Sequence, residues 1–251
     1  MSDIIPKHFT PDGSLSFVPL TAPRTKPMLV TENNRPALIG VITLFSGFLQ
    51  TASSPGSGFV ELARDCELRS IEILGRLGAY IRVQLLPHDA DVGDVAESVW
   101  RYRPYVNGSK LRSTEQLHLV AGYSYGGQAA VSFCDELALR GGVRVVELAL
   151  CDPVRRWKYL PGVAAATGCG RLHVPEVVEK CWWYKQENPR YEIGRDSGLF
   201  QPAGHEVVGK NVSNPVIRTS GHSYIDNDSE FRKSFLNSAK QMAKYVAEAI
   251  A

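Results

Sequence analysis

Residues 117–127, LHLVAGYSYGG, contain the feature of the sequence that decides the fold. A short apolar run leads directly into the pentapeptide GYSYG at 122–126, and a helical pattern follows over 128–139. A serine on a tight strand-to-helix turn is exposed and oriented, and the flanking glycines remove side chains that would clash there. A serine hydroxyl needs such a setting, and a neighbouring base, to act as a nucleophile. The stretch therefore predicts that Ser124 is a nucleophile between a strand and a helix.

Strand and helix patterns alternate along the chain on both sides of this turn. Apolar runs predict strands at 37–45, 80–86, 117–121, 143–151, near 178–184 and at 216–219. Helical spacing of apolar residues predicts helices at 58–76, 91–102, 128–139 and 229–250. Near-continuous apolar strands are typical of a sheet buried on both faces. The alternation indicates an α/β fold with a mostly parallel central sheet and helices on both faces.

The domain organisation follows from length and local composition. A chain of 251 residues is long enough for one large α/β domain, which we assign to 36–251. Residues 1–35 are rich in Pro, Thr and Asn, with short extended pieces at 15–18 and 28–30. They predict an N-terminal arm or hairpin laid over the domain. Residues 153–215 are less regular and rich in Pro, Gly and aromatic residues, which indicates a possible cap or pocket segment.

Composition limits the kinds of partner and the cellular compartment that we expect for this protein. The formal net charge of +2 offers no basic footprint for nucleic acid. The five cysteines form no CxxC pair, which argues against a zinc site or a redox dithiol. No secretory signal and no apolar stretch of membrane-spanning length occur in the sequence. We therefore expect a cytoplasmic protein without stable membrane insertion.

Four stretches together resemble the α/β-hydrolase superfamily, particularly its lipase and esterase branches. They are the GYSYG pentapeptide, Ser46-Gly47-Phe48 after the early strand, LCDP at 150–153 and GHS at 221–223, and the resemblance runs from about Leu38 to the C-terminus. The resemblance implies a serine hydrolase that cleaves a carboxylic ester, thioester or lipid ester through an acyl-enzyme. It implies no cofactor and no metal.

The base is sought among six histidines. His222 follows a strand, lies in a Gly/Ser-rich loop and precedes the last helix, where the family places its catalytic histidine. His118 lies inside the strand that leads to Ser124, and His88 precedes the serine, contrary to the family's chain order. The resemblance thus favours His222, with His205 as the alternative.

Two carboxylates compete for the role of the acid. Asp152 ends the strand after the elbow helix, as in the lipase subgroup whose acid is at that position. Glu187 lies at the commoner position one strand later. We favour Asp152, which would fix the imidazole tautomer and stabilise the imidazolium. Asp226 and Asp228, just beyond His222, are expected to begin the final helix, where acids suit the helix dipole.

The oxyanion hole needs two backbone N–H groups. One is expected from Tyr125, immediately after the nucleophile. The segment Ser46-Gly47-Phe48 is similar to the His-Gly-Phe loop of lipases, which places the second donor at Phe48. Ser46 stands where those lipases have histidine, so the identity of this donor stays open.

Alternatives to an ester hydrolase remain open at this point. The same fold would suit a catalytically silent binding module, or an acyltransferase that passes the acyl group to an alcohol or amine. The expected partner is a small-molecule or lipid ester. Asp89 and Asp91 are predicted to cap the following helix rather than to bind a metal.

Overall fold

The computed structural model describes residues 8–9, 15–17, 38–47, 58–74, 80–101, 115–154, 171–186, 206–219 and 222–250. Within them the chain forms strands β1 (His8–Phe9), β2 (Leu15–Phe17), β3 (Leu38–Phe45), β4 (Tyr80–Leu86), β5 (Gln116–Tyr123), β6 (Val143–Cys151), β7 (Arg171–His173), β8 (Cys181–Gln186), β9 (Glu206–Val208) and β10 (Val216–Arg218). The helices are α1 (Gly58–Leu74), α2 (Val92–Trp100), α3 (Gly126–Arg140) and α4 (Ser229–Ile250), and a 3-10 helix covers His222–Asn227.

Eight of the strands form one sheet in the order β1-β2-β4-β3-β5-β6-β8-β10. The six strands from β4 to β10 in this order pair in parallel, whereas β1 and β2 pair antiparallel at one edge. Parallel neighbours require crossover connections, and α1, α2 and α3 lie in those that join β3 to β4, β4 to β5 and β5 to β6. The predicted α/β class with a mostly parallel sheet flanked by helices is confirmed.

The central strands are buried on both faces, as their apolar sequences indicate. All eight residues of β3 and all eight of β5 are buried. One core packs the sheet against α1 and α4, and Phe59 of α1 stacks 5.9 Å from Phe231 of α4. The other core packs the opposite face against α2 and α3, with Val99 and Phe133 fully buried. No helix in the described part of the chain is long and apolar enough to cross a membrane.

Most element bounds agree closely with those expected from the sequence. Strands β4 and β6 and helix α4 have the predicted bounds, and β5 extends beyond its predicted ends. Strand β8 begins later than expected, because residues 176–177 form a turn and Val178 makes only an isolated bridge to Val145. It also ends later, at Gln186.

The N-terminal segment contributes strands to the edge of the sheet. Leu15 of β2 lies opposite Leu85 of β4, and β1 pairs with β2. Strands β1 and β2 thus widen the sheet at the edge formed by β4. The extended piece expected at 28–30 lies outside the described residues.

A second, two-stranded parallel sheet is formed by β7 and β9. Leu172 and Val207 are paired and both are buried. The pair lies within the irregular segment 153–215, where the sequence predicted neither strand. Three-residue strands are too short to show a periodic pattern.

Aspartate side chains accept hydrogen bonds from backbone amides at the start of three of the helices. Asp91 accepts hydrogen bonds from the amides of Gly93 and Asp94, so its predicted capping of α2 is confirmed. Asp228 likewise caps α4. The same expectation is wrong for Asp226, which accepts a hydrogen bond from the Gly58 amide at the start of α1. The 3-10 helix that carries Asp226 packs against α1, and this contact joins residues far apart in the sequence.

Glu67 is a buried carboxylate on α1, only 4 % exposed. Burial raises its pKa from 4.5 to about 7. Because the folded pKa is raised, the protonated form favours folding, and this stability is lost as the pH rises from about 4.5 through 7. The gain in the free energy of unfolding that Glu67→Gln produces over wild type should therefore be about 1–2 kcal/mol larger above pH 8 than at pH 4. Denaturant unfolding across this pH range measures the effect.

The matched control is Glu72→Gln on the same helix, since Glu72 is exposed and paired with Arg69. It should change stability by less than about 1 kcal/mol at any pH. Equal pH dependence of unfolding in wild type and Glu67→Gln would contradict the prediction.

Candidate active site

The sheet order reverses between β3 and β5, since β4 lies on the far side of β3. In open α/β sheets, ligands bind outside the carboxyl ends of the strands at such a point. Ser46 and Gly47 follow β3, and Ser124 follows β5. Phe45 is paired with Gly122, so these two strand ends lie side by side. The topology therefore places the GYSYG pentapeptide at the expected crevice.

Ser124 occupies the turn between β5 and α3 with a left-handed backbone, at a φ of 53°. This conformation is uncommon for residues other than glycine and is typical of the strained nucleophile elbow. A Cβ on Gly126 would lie 2.2 Å from the Phe45 carbonyl oxygen, and one on Gly122 would lie 2.5 Å from the Gly126 carbonyl oxygen. Only glycine permits these approaches of chain segments around Ser124.

Backbone hydrogen bonds hold the elbow against the neighbouring strand. The Ser124 amide donates to the Cys151 carbonyl at 3.1 Å. The Ser124 carbonyl accepts from the amides of Gly127 and Val154, at 2.9 and 2.7 Å. The elbow is thus tied to the segment that follows β6, and its strained backbone is fixed by the surrounding structure.

Asp152 reaches the same edge of the sheet from β6. Tyr123 and Cys151 are paired in register, so Ser124 and Asp152 leave adjacent strands at the same level. Asp152 also has a left-handed backbone, with φ 41°, and its amide donates to the Tyr184 carbonyl of β8 at 2.8 Å. Its side chain is completely buried. The turn directs the carboxylate across the strand end.

His222 begins the 3-10 helix that precedes α4, and side chains from the sheet hold its backbone. The Tyr123 hydroxyl donates to the His222 carbonyl at 2.7 Å, and the two rings lie 5.3 Å apart. The His222 amide donates to Oε1 of Gln186 at 3.0 Å. The imidazole is therefore supported from β5 and from β8.

The structure brings Ser124, His222 and Asp152 into one hydrogen-bonded series. His222 Nε2 lies 3.0 Å from Ser124 Oγ, and His222 Nδ1 lies 2.5 Å from Asp152 Oδ2. An ionised carboxylate only accepts hydrogen bonds, so Nδ1 carries the proton and Nε2 presents its lone pair to the serine hydroxyl. This arrangement allows the imidazole to take a proton from Ser124 while Asp152 stabilises the resulting charge.

Three residues singled out from the sequence lie outside the described residues: Phe48, Glu187 and His205. Among the described residues, Asp152 has its carboxylate within hydrogen-bonding distance of the imidazole. Tyr125 lies at the start of α3, directly after Ser124. Its amide is thus at the positive end of a helix dipole, which suits a developing oxyanion.

Other nucleophiles and bases in the described core are structural. Burial lowers the pKa of His118 to about 3, and its ring contacts Gln116 at 2.9 Å, so it stays neutral in the sheet. Burial also raises the pKa of the Cys151 thiol well above its usual value. A thiol kept protonated is a poor nucleophile. In the described ranges, no group of three or more His, Cys, Asp or Glu side chains could hold a metal ion.

Two residues of the site were not singled out by the sequence reasoning. Tyr123 lies within the GYSYG pentapeptide, and nothing in the motif indicates that its hydroxyl reaches His222. Gln186 donates to Asp152 Oδ2 at 2.5 Å while accepting from the His222 amide. The available signal was a polar residue at the end of a buried strand, next to the alternative acid Glu187.

The strand order, the serine elbow after β5 and the chain order Ser124, Asp152, His222 define a protein with the α/β-hydrolase fold. The resemblance seen in the sequence is thus confirmed at the level of the fold.

No protein-family model matches the sequence, and no curated protein matches it. Among solved structures, the chain is similar to an esterase from the archaeon Pyrobaculum calidifontis, at 16% identity and a TM-score of 0.47, over 92% of this chain and 81% of that one. It is also similar to a thermostable carboxylesterase from a metagenomic library, at 12% identity and a TM-score of 0.43, over 84% of this chain and 81% of that one. A dienelactone hydrolase from Anabaena variabilis has 11% identity and a TM-score of 0.39, over 82% of this chain and 86% of that one.

Proposed function

We propose that this protein is a serine hydrolase that cleaves a carboxylic ester, thioester or lipid ester. The observation that carries the proposal is the series from Ser124 Oγ through the His222 imidazole to Asp152 Oδ2, with distances of 3.0 and 2.5 Å. A serine, base and acid in this geometry and chain order suit acyl transfer.

The reaction proceeds in two steps. Ser124 Oγ attacks the carbonyl carbon of the ester while His222 Nε2 takes its proton, and His222 then gives that proton to the leaving alcohol. Water, deprotonated by His222, next attacks the acyl-enzyme and releases the acid, and Ser124 recovers its proton. Asp152 stabilises the imidazolium in both steps.

The oxyanion of each tetrahedral intermediate is assigned to two backbone amides. The Tyr125 amide supplies one donor, and Phe48, after β3, is the proposed source of the second. Each such donor contributes about 3 kcal/mol to transition-state stabilisation. No cofactor or metal takes part in the proposed reaction.

Labelling with a fluorophosphonate probe tests the proposal directly, because such probes react with an activated serine. A panel of p-nitrophenyl esters of increasing chain length then reports the preferred acyl group. We expect labelling of Ser124 and turnover of at least one ester. A protein that is folded but neither labelled nor active would instead be a silent binding module. Acyl products formed with added alcohols or amines would indicate an acyltransferase.

The acid is tested by a pair of conservative substitutions. Asp152→Asn should lower kcat on the order of 10⁴-fold, because a neutral amide neither stabilises the imidazolium nor enforces the correct tautomer. Glu187→Gln is the control and should cost less than about threefold. Steady-state kinetics on the best p-nitrophenyl ester measures both. A large loss of kcat in Glu187→Gln with a small one in Asp152→Asn would instead assign the acid to Glu187, one strand later.

The proposed location is the cytoplasm. Cys66, Cys134, Cys151 and Cys181 are all buried as free thiols. Free thiols are typical of reducing compartments.

A further inference from the structure

Gln186 occupies an unusual position at the end of β8, between the acid and the base. It is 2 % exposed, and both ends of its side-chain amide are engaged. Nε2 donates to Asp152 Oδ2 at 2.5 Å, and Oε1 accepts from the His222 backbone amide at 3.0 Å. One amide group therefore joins the carboxylate of the acid to the backbone of the base.

The position of His222 depends on such contacts because no sheet pairing holds it. It follows residues 220–221 and starts a 3-10 helix. Its amide is bound by Gln186, its carbonyl by the Tyr123 hydroxyl and its Nδ1 by Asp152. Gln186 takes part in two of these constraints, one directly and one through Asp152.

The orientation of the amide follows from its partners. A backbone N–H must face the carbonyl oxygen of Gln186, so its NH₂ group must face the carboxylate. Asp152 Oδ2 then accepts two donors at once, from Gln186 and from His222. Two donors fix the side-chain rotation of the acid so that Oδ2 meets the Nδ1 proton.

We infer that Gln186 is a positioning residue for the base and the acid, an inference that rests on the proposed hydrolase function. It holds Asp152 Oδ2 and the His222 backbone at the separation in which Nε2 faces Ser124 Oγ. A displacement of about 1 Å in such a series costs about 10²-fold in rate. Its two hydrogen bonds go to the carboxylate of the acid and to the backbone of the base, so its loss should act on kcat and leave KM nearly unchanged.

Two variants separate its two hydrogen bonds. Gln186→Met removes both and keeps a side chain of similar length. Gln186→Glu still accepts from the His222 amide, but in its ionised form it presents an acceptor instead of a donor to Asp152. Gln186→Met should lower kcat about 10²-fold with KM within about twofold of wild type, and Gln186→Glu should do the same at a pH where its carboxyl is ionised, because each then lacks the donor to Asp152. Steady-state kinetics on the best p-nitrophenyl ester gives both constants.

Gln116→Met is the matched control. Gln116 is also a fully buried glutamine, at the opposite end of β5, where its amide donates to the carbonyls of Val99 and Leu38. Its replacement removes a buried amide far from Ser124, so it should lower Tm while kcat stays within about twofold of wild type. Circular dichroism of all variants gives the Tm values for comparison.

A spectroscopic measurement does not depend on turnover. A proton held in the short contact between His222 Nδ1 and Asp152 Oδ2 gives a ¹H resonance far downfield of the amides. This signal should be present in wild type, absent in Asp152→Ala, and lost or shifted in Gln186→Met and Gln186→Glu. Gln116→Met should retain it unchanged.

These experiments distinguish a failure of the proposed hydrolase function from a failure of the positioning role of Gln186. A wild type without labelling or turnover would overturn the proposed hydrolase, and the downfield resonance would then decide the role of Gln186 alone. An active wild type whose Gln186 variants keep kcat, or lose no more than Gln116→Met does, would overturn only the positioning role. If Gln186→Met fails to fold, Gln186→Glu decides on the same criteria. If neither folds, a structural role independent of catalysis replaces the inference.

Discussion

Ser124→Ala should reduce ester hydrolysis on the order of 10⁶-fold and abolish fluorophosphonate labelling. The hydroxyl is the group that forms the acyl-enzyme, and its Oγ lies 3.0 Å from His222 Nε2. A residual acceleration of about 10³-fold over water is expected from oxyanion stabilisation and binding alone. Alanine at a φ of 53° keeps the same backbone strain as serine, so we expect a Tm close to that of wild type.

Ser70→Ala is the matched control for this loss. Ser70 is likewise a buried serine, but it lies on α1 and donates to the Cys66 carbonyl at 2.8 Å. Its replacement should leave labelling and turnover unchanged. If Ser124→Ala retained substantial turnover, or if the probe still labelled it, another residue would be the nucleophile.

His222→Ala should be nearly as damaging as loss of the serine, on the order of 10⁶-fold in kcat. Without the imidazole, no described group accepts the Ser124 proton or returns it to the leaving group. Because the residues act as a unit, the double variant Ser124→Ala, His222→Ala should be no slower than Ser124→Ala alone. Burst kinetics with a p-nitrophenyl ester separates acylation from deacylation in each variant.

Two other histidines serve as comparisons for the base. His173 is exposed on β7, and His173→Ala should leave turnover unchanged. His205→Ala should also be active if His222 is the base. An inactive His205→Ala beside an active His222→Ala would reassign the base and leave the nucleophile in place.

The repeating elements of the fold could be predicted closely because their patterns are local. Long apolar runs such as that of β6 and the 22-residue amphipathic helix α4 carry many residues that agree with one period. The end of β8 could not be predicted in this way. Its last residue is a glutamine, and its place in the sheet is decided by pairing with Arg218 of β10.

Of the candidate site, the serine elbow could be predicted from the sequence because it too depends on neighbouring residues. The serine elbow has a local requirement, since glycines must flank a strained turn, and that requirement is visible in the sequence. The histidine and the acid are separated from Ser124 by 98 and 28 residues, and only the family's chain order and their placement at the ends of predicted strands suggested them. Tyr123 carried no signal, and the signal at Gln186 was only a polar residue at the end of a buried strand, because their roles depend on hydrogen bonds between separate strands.

The sequence by itself determined the α/β class, the alternation of strands and helices and the turn that carries Ser124, because each depends on periodicity or sterics over a few neighbouring residues. The tertiary structure alone decided that β6 lies beside β5, so that Asp152 leaves the sheet at the level of Ser124. It also decided that Asp226 binds α1 rather than α4, and that Gln186 joins the acid to the base. Hydrogen bonds between distant segments form only once the sheet order is set, and no local pattern encodes them.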